Sequence, residues 1–440
     1  MQMPAQSKAP PRDNHNQEAT PFHDKQFLKA ITVALMFFVG PTVAASARDA
    51  RPVFSPTGPD ASAYGEALGY PIGPPLKKQS NMVGNYSHAD QLDPTHRVAA
   101  DKPSLLRRAP QERALSYTFQ GQTHSLQDYL DRNPTTSLLI VRDDTILFEH
   151  YQYGRTDHDR FYSQSMAKTI TGMLIGIAIN EGAIHSIDDV AQTYVPALTG
   201  MVLGQTSIRA LLQMSSGIQF GQDYGGSDDD AKLTRMLFSP SGLSTSQAVS
   251  QFNIRADPPG TRWHYANINP EVLGLVLTQA AHMTPAEYLQ SRIWQPMGAE
   301  ADATWVVDHN DQEIAYCCFS ATARDYARFG LMLAHDGAWN GKQIVPRQWV
   351  LDATQPVVAG SPLAIEQGPH PWGYGYLVWL MPGPRRTFVM EGVEGQRIFI
   401  DPATHLVLVH TAVRLKPTHD IGDSELLALW RALLDQTKAK

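Results

Sequence analysis

Phe161-Tyr-Ser-Gln-Ser165-Met-Ala-Lys168-Thr-Ile-Thr-Gly-Met-Leu-Ile-Gly-Ile-Ala-Ile-Asn180-Glu181-Gly182 is the stretch on which the fold turns. From Ser165 to Glu181 the spacing predicts a helix that is apolar almost all round, with Met166, Ile170, Met173, Leu174 and Ile177 on successive faces. Gly182 closes it. A helix without a polar face is buried inside a core. Two residues resist that reading. Ser165 and Lys168 stand three apart, so a hydroxyl and an amine share one face of the first turn. An ammonium is costly to bury, and desolvation lowers its pKa until a neutral amine can take a proton from serine. A helix start also offers unpaired N–H groups and a positive dipole end to an oxyanion. Taken alone, S-x-x-K reads more readily as a serine cap with a snorkelling lysine, and its place on a buried helix is what favours catalysis.

On the N-terminal side, Leu138-Leu-Ile-Val-Arg142, the pair Asp143-Asp144 and Thr145-Ile-Leu-Phe148 read as a β-hairpin. On the C-terminal side, the runs 374–380, 387–390, 396–400 and 406–411 read as an antiparallel meander. Leu426, Leu427, Trp430, Leu433 and Leu434 then form one face of a terminal helix. Between these ends lie helix starts at Asn269-Pro270, Thr284-Pro285-Ala286-Glu287 and Thr322–Asp325. One sheet is therefore expected from about 120–160 and 370–440, with a helical insertion at roughly 185–300.

Two further segments carry chemistry. Tyr265-Ala266-Asn267 lies between the Pro259-Gly260 turn and the helix opened by Asn269. A loop tyrosine relays protons or acts as a base where cations favour its phenolate, and Asn267 offers a donor and an acceptor to an amide. Met390-Glu391-Gly392-Val393-Glu394-Gly395-Gln396 joins two late strands, with glycines that permit close backbone approach. Each segment alone also fits a packing tyrosine, a turn asparagine or a plain hairpin.

In this order, S-x-x-K, Y-x-N and a late glycine-bearing strand resemble the penicillin-recognising serine hydrolases. Within them the chain is similar to the class C β-lactamase-related branch. Gly373-Tyr374-Gly375-Tyr376 and Gly395-Gln396 followed by Asp401-Pro402 bring it nearest to the 6-aminohexanoate-dimer hydrolase type. The resemblance spans about residues 120 to 437. It implies a β-lactamase/transpeptidase-like α/β sandwich: an antiparallel sheet flanked by helices, with an inserted helical subdomain and the nucleophile at the seam. It also implies that Ser165 is acylated, Lys168 is its base and Tyr265 carries the proton to the leaving group. The N–H groups of Ser165 and Val393 would form the oxyanion hole. Asn267, Tyr224, Glu391 and Gly392 would meet a small amide or ester substrate, without metal or other cofactor. Where lactamases place Lys or His in the third motif, this chain has Met390-Glu391-Gly392. Losing that charge-assisted contact costs about 1.5–3 kcal/mol, so weak or no β-lactamase activity is expected. Glu391 or Asp223 would instead favour a substrate bearing an amine.

Composition narrows the alternatives. The 440 residues carry 36 Lys+Arg against 43 Asp+Glu, a net charge of −7 with no basic stripe, which excludes the electrostatic footprint of a nucleic-acid binder. With 42% hydrophobic and 18% charged residues, the chain reads as globular. Its 16 histidines are scattered and form no H-E-x-x-H. The adjacent Cys317 and Cys318 cannot build a disulfide framework; they fit a rare vicinal disulfide or, as the favoured reading, two buried thiols. Residues 1–24 are polar; Lys25 and Lys29 then precede the apolar run 30–39, Gly40-Pro41 and the small-residue exit Ala44–Ala47. That pattern predicts export to the periplasm or medium, with no stable membrane span once the signal is removed. Residues 48–119, rich in Pro, Gly and Ser, read as an extended or irregular arm.

Overall fold

A computed structural model describes residues 51–239, 242–355 and 372–437. The expected signal at about 25–47 lies outside them. Among the described residues no helix is long and apolar enough to cross a membrane.

The main sheet has nine strands: β1 (Val53–Phe54), β2 (Arg107–Arg108), β3 (Thr135–Arg142), β4 (Thr145–Tyr151), β5 (Gly373–Tyr374), β6 (Trp379–Leu380), β7 (Phe388–Gly392), β8 (Gln396–Asp401) and β9 (Leu406–Ala412). Their order is β1-β4-β3-β9-β8-β7-β6-β5, with β2 also paired to β4. From β4 to β5 every pairing is antiparallel; β1 and β2 join β4 in parallel. The strand from the early hairpin (β3) bonds directly to the last strand of the meander (β9), with Leu139 opposite Val409. The run 374–380 is itself a hairpin, because Leu377 adopts φ 58 and the Gly375 amide bonds the Val378 carbonyl at 2.9 Å.

The central strands are apolar in unbroken runs because both sheet faces are covered. Leu138, Ile140, Phe399 and Leu408 point to one face, against Leu426, Leu429, Trp430 and Leu433 of the terminal helix. Leu427 and Leu434 only flank that contact. Leu139, Val141, Ile398 and Val407 point the other way, into the larger core shared with the helices. Gly330, on the helix Ala323–Ala334, allows that packing, since a Cβ there would lie 2.8 Å from Val407 Cγ1. The architecture is the helix-flanked α/β sandwich expected.

Three helices matter for the site: α1 (Gln79–Ser87), α2 (Ala167–Asn180) and α3 (Ile268–Ala281). In α2, residues 167–178 are all buried, as its lack of a polar face requires. It is preceded by a 3₁₀ turn, Gln164–Met166, so Ser165 sits just before the α-helix and caps nothing. The arm is more ordered than its composition suggests. It supplies β1, β2, the buried helix α1 and the strand Thr95–Val98, and it buries Tyr64, Met82, Val83 and Tyr86. Its core residues are spread among turns and short elements, so no period betrays them.

A second sheet orders Thr95–Val98, Ala303–Val306, Phe319–Ala321 and Phe161–Tyr162. Cys317 and Cys318, at its margin, are joined in a disulfide, which corrects the reading as thiols. They are buried as expected.

Candidate active site

The second sheet sets the first contact. Tyr162 pairs with Ser320, and the Ser163 amide donates to the Phe319 carbonyl at 2.7 Å. The chain entering α2 therefore runs beside the chain leaving Tyr316. Lys168, the second residue of α2, donates to Ser165 Oγ at 2.7 Å and to the Tyr316 carbonyl at 2.9 Å. Its Nζ also lies 5.0 Å from the Tyr265 ring centre and 5.4 Å from that of Tyr316. Burial brings the Lys168 pKa down to about 7, against the upward pull of Asp230 and Glu271. An amine so poised can accept the Ser165 proton near neutral pH.

Glu271 lies on α3 with no solvent exposure. Desolvation pushes its carboxyl up to about 8, although it accepts the Ala315 N–H at 2.8 Å. That upward shift weakens the hold of Glu271 on the Lys168 proton near neutral pH.

Tyr265 faces the cavity from an aromatic cluster. Trp379 stacks on it at 5.7 Å, and Tyr374 meets it edge-on at 6.1 Å. Burial holds its phenol well above the ordinary tyrosine value, only partly offset by a hydrogen bond with Ser165. Tyr265 is therefore a phenol at rest, able to pass a proton on but not to act as a standing base. Asn267 precedes α3, the helix opening two residues earlier than a cap at Asn269 suggests. Its N–H donates to Gln222 Oε1 at 2.8 Å and its Nδ2 to Asp230 Oδ1 at 2.7 Å, while its buried Oδ1 has no partner.

The third segment closes on the first. A Cβ at Gly392 would stand 2.5 Å from the Ser163 carbonyl oxygen and 2.9 Å from Gln164 Cβ. Only glycine lets β7 lie this close to the turn carrying Ser165. This brings Val393 and Ser165 onto one cavity of about 650 Å³, whose wall also includes Tyr224, Tyr265, Trp372, Trp379 and Glu391. Asn267 and Gly392 stand behind that wall, and Asp223 lies in an exposed turn, where it accepts the Gly225 N–H at 2.7 Å. Glu391 is paired with Arg397 at 2.7 Å. Arg397 also donates to the carbonyls of Gly392 and Gln396.

Sequence reasoning passed over Tyr316, Asp230, Glu271, Gln222, Trp372, Trp379 and Arg397. Only Asp230 carried a local signal, as the last acid of an Asp228-Asp229-Asp230 run that reads as a helix start. Among the described residues, one cluster, Asp143, His335 and His405, has metal-ligand spacing. It belongs to turns at the other end of β3 and β8, where His405 Nδ1 meets Asp143 at 2.9 Å.

Comparison with known proteins agrees with this geometry. Residues 124–429, more than half of the chain, match the beta-lactamase family. A 6-aminohexanoate-dimer hydrolase of Paenarthrobacter ureafaciens is 28% identical over 325 residues, covering 70% of this chain and 81% of its own. A solved candidate 6-aminohexanoate-dimer hydrolase from Bacillus anthracis superposes with TM-score 0.74 at 25% identity, over 82% of this chain and 95% of that one. EstCE1, a hydrolase with promiscuous acyltransferase activity, shares the fold at TM-score 0.57 and 16% identity, over 70% of this chain and 96% of its own. With its S-x-x-K pair in contact at the seam of sheet and helices, the chain belongs to the beta-lactamase family and is a serine hydrolase.

Proposed function

We propose that the protein cleaves an amide or ester of a small substrate through a covalent acyl-enzyme, without metal or other cofactor. The contact between Lys168 and Ser165, with the lysine pKa lowered to about 7, carries this reading. Ser165 Oγ attacks the substrate carbonyl carbon and its proton passes to neutral Lys168. The N–H groups of Ser165 and Val393 hold the resulting oxyanion. As the C–N or C–O bond breaks, the Lys168 proton reaches the leaving group through the Tyr265 phenol. Water, deprotonated by the same pair, then releases the acid and restores Ser165.

Substrate contacts fall to Tyr224 and Glu391, while Asn267, behind the wall, holds the Tyr265 loop through Gln222 and Asp230, and Gly392 shapes the edge beside them. The dimer-hydrolase relatives support a linear amide, and Glu391 on the cavity wall supports an amine-bearing one. Weak or no β-lactamase activity accompanies this. The third motif has no cation of its own, and neighbouring Arg397 is committed to Glu391 and two carbonyls. Paired amine-bearing and neutral amides, tested on wild type, Glu391→Gln and Asp223→Asn, check the preference. Equal rates throughout would remove it.

The first experiment is hydrolysis of p-nitrophenyl acetate and labelling by a fluorophosphonate, with Ser165→Ala and Lys168→Ala alongside. Sustained turnover that vanishes in Ser165→Ala is expected. Absence of serine-dependent labelling overturns the reading, and a burst without turnover replaces it with a ligand-binding or sensor role. Export is proposed on the pattern of residues 25–47, and an exported mature chain beginning after Ala47 is the expected product.

A further inference from the structure

The two turns that carry the proposed oxyanion donors share an unusual feature. Gln164, immediately before Ser165, has φ 46, and Glu394, immediately after Val393, has φ 63. Neither is glycine, and side chains rarely adopt this left-handed backbone unless their surroundings hold them there. The holding group is visible. Gln164 Nε2 donates to Glu394 Oε2 at 2.7 Å and to Tyr86 Oη at 2.8 Å. The Tyr86 hydroxyl itself donates to Glu394 Oε2. On the other oxygen, Lys77 Nζ lies 2.6 Å from Glu394 Oε1. Glu394 and Tyr86 are each 3% exposed and Gln164 8%. The Glu394 backbone is fixed as well, its N–H bonded to the Pro417 carbonyl at 3.0 Å and its own carbonyl accepting the Arg414 amide at 3.2 Å.

Glu394, Gln164, Tyr86 and Lys77 all stand off the cavity wall. A carboxylate this deeply buried requires donors, and here a phenol, a carboxamide and an ammonium supply them. Two of the three donors, Tyr86 and Lys77, come from the arm at residues 48–119. The third, Gln164, is the residue that orients Ser165. An oxyanion hole works only when both N–H groups aim at one point, about 2.7–3.1 Å from each.

We infer that Glu394 is a positioning residue that, with Tyr86 and Gln164, locks the Ser165 and Val393 N–H groups in register. The N-terminal arm is thereby part of the catalytic apparatus. This rests on the acyl-enzyme reading above.

The test uses the full chain with a p-nitrophenyl ester, in wild type, Glu394→Gln, Tyr86→Phe and Ser165→Ala. A boronic acid inhibitor reports the tetrahedral state. Glu394→Gln sets one amide donor against another and is expected to lower kcat about 10–100-fold, with KM within about twofold. Boronate affinity falls by the same factor as kcat. Tyr86→Phe removes one hydroxyl and loses about 3–10-fold in both, and it carries the test alone if Glu394→Gln fails to fold. Exchanging the partners, Gln164→Glu with Glu394→Gln, restores most of the loss. A folded Glu394→Gln or Tyr86→Phe with wild-type kcat and boronate affinity overturns the inference and leaves the acyl-enzyme reading intact. Ester turnover that persists unchanged in Ser165→Ala overturns both.

Discussion

Asn267 Nδ2 donates to Asp230 Oδ1 across 2.7 Å, tying the first turn of the helix Asp229–Phe238 to the Tyr-x-Asn loop. Asp230 is itself held above the usual carboxylate range by burial, and when ionised it raises the pKa of Lys168. Replacing it therefore has two separable effects. Asp230→Asn removes a negative charge near Lys168, so the acidic limb of kcat/KM moves to lower pH. It also replaces the charged acceptor of Asn267 Nδ2 by a neutral amide oxygen, and KM rises about threefold to tenfold. A pH–rate profile with kcat and KM resolved checks both.

The acidic limb itself follows from Lys168. Its pKa of about 7 in the fold is below the ordinary 10.5, so the neutral amine accumulates as pH rises through about 7. Wild-type kcat/KM is expected to climb across that interval and then level off. A limb near pH 10 would contradict the buried-amine picture.

The same shift is a stability cost. Between about pH 7 and 10.5 the unfolded chain binds a proton at Lys168 that the folded chain does not, so this group's contribution to stability rises with pH over that window. Lys168→Met removes the charge problem and keeps the volume. It is expected to abolish turnover and to raise stability by about 1–3 kcal/mol at pH 7, a gain that fades towards pH 10.5. Urea unfolding at the two pH values measures it.

Glu271 runs in the opposite sense. Its folded pKa of about 8 exceeds the ordinary 4.5, so its contribution to stability falls as pH rises from about 4.5 to 8. Glu271→Gln mimics the protonated acid. Activity at pH 7 should stay within about threefold of wild type, with the stability gain growing up to about pH 8. Glu271→Ala leaves the buried Ala315 N–H without its acceptor and costs about 1–3 kcal/mol, plus the cavity. Thermal melts of the two variants distinguish charge from hydrogen bonding.

Gly392→Ala places a Cβ 2.5 Å from the Ser163 carbonyl, so β7 must draw back from the Ser165 turn. A displacement of about 1 Å there is expected to cost on the order of 10²-fold in kcat while the protein still folds. Near wild-type turnover would mean that this close approach is not needed for acylation.

Much of this could be read along the chain. The all-apolar run after Ser165 required a buried helix, and a lysine within it had to be either awkward or useful. The β-rich runs in 138–148 and 396–411 required strands, and the order of the three motifs pointed to one family. These properties are local, because period and spacing register which residues must leave water together. What surrounds the reacting groups is not local. Tyr316 reaches Lys168 because Phe319–Ala321 pairs with Phe161–Tyr162. Glu391 stands on the cavity wall yet meets Arg397, six residues on and across a strand pair. Tyr86 meets Glu394 from a segment whose composition promised only an irregular arm. A buried charge is satisfied by whichever donors the fold brings within about 3 Å, and that proximity is set by strand register and helix packing rather than by residue type. Residue order settles which side chains must be buried and which chemistry is available. The tertiary structure alone decided which buried groups face each other, and so the charge state of Lys168 and the aim of the backbone around Ser165.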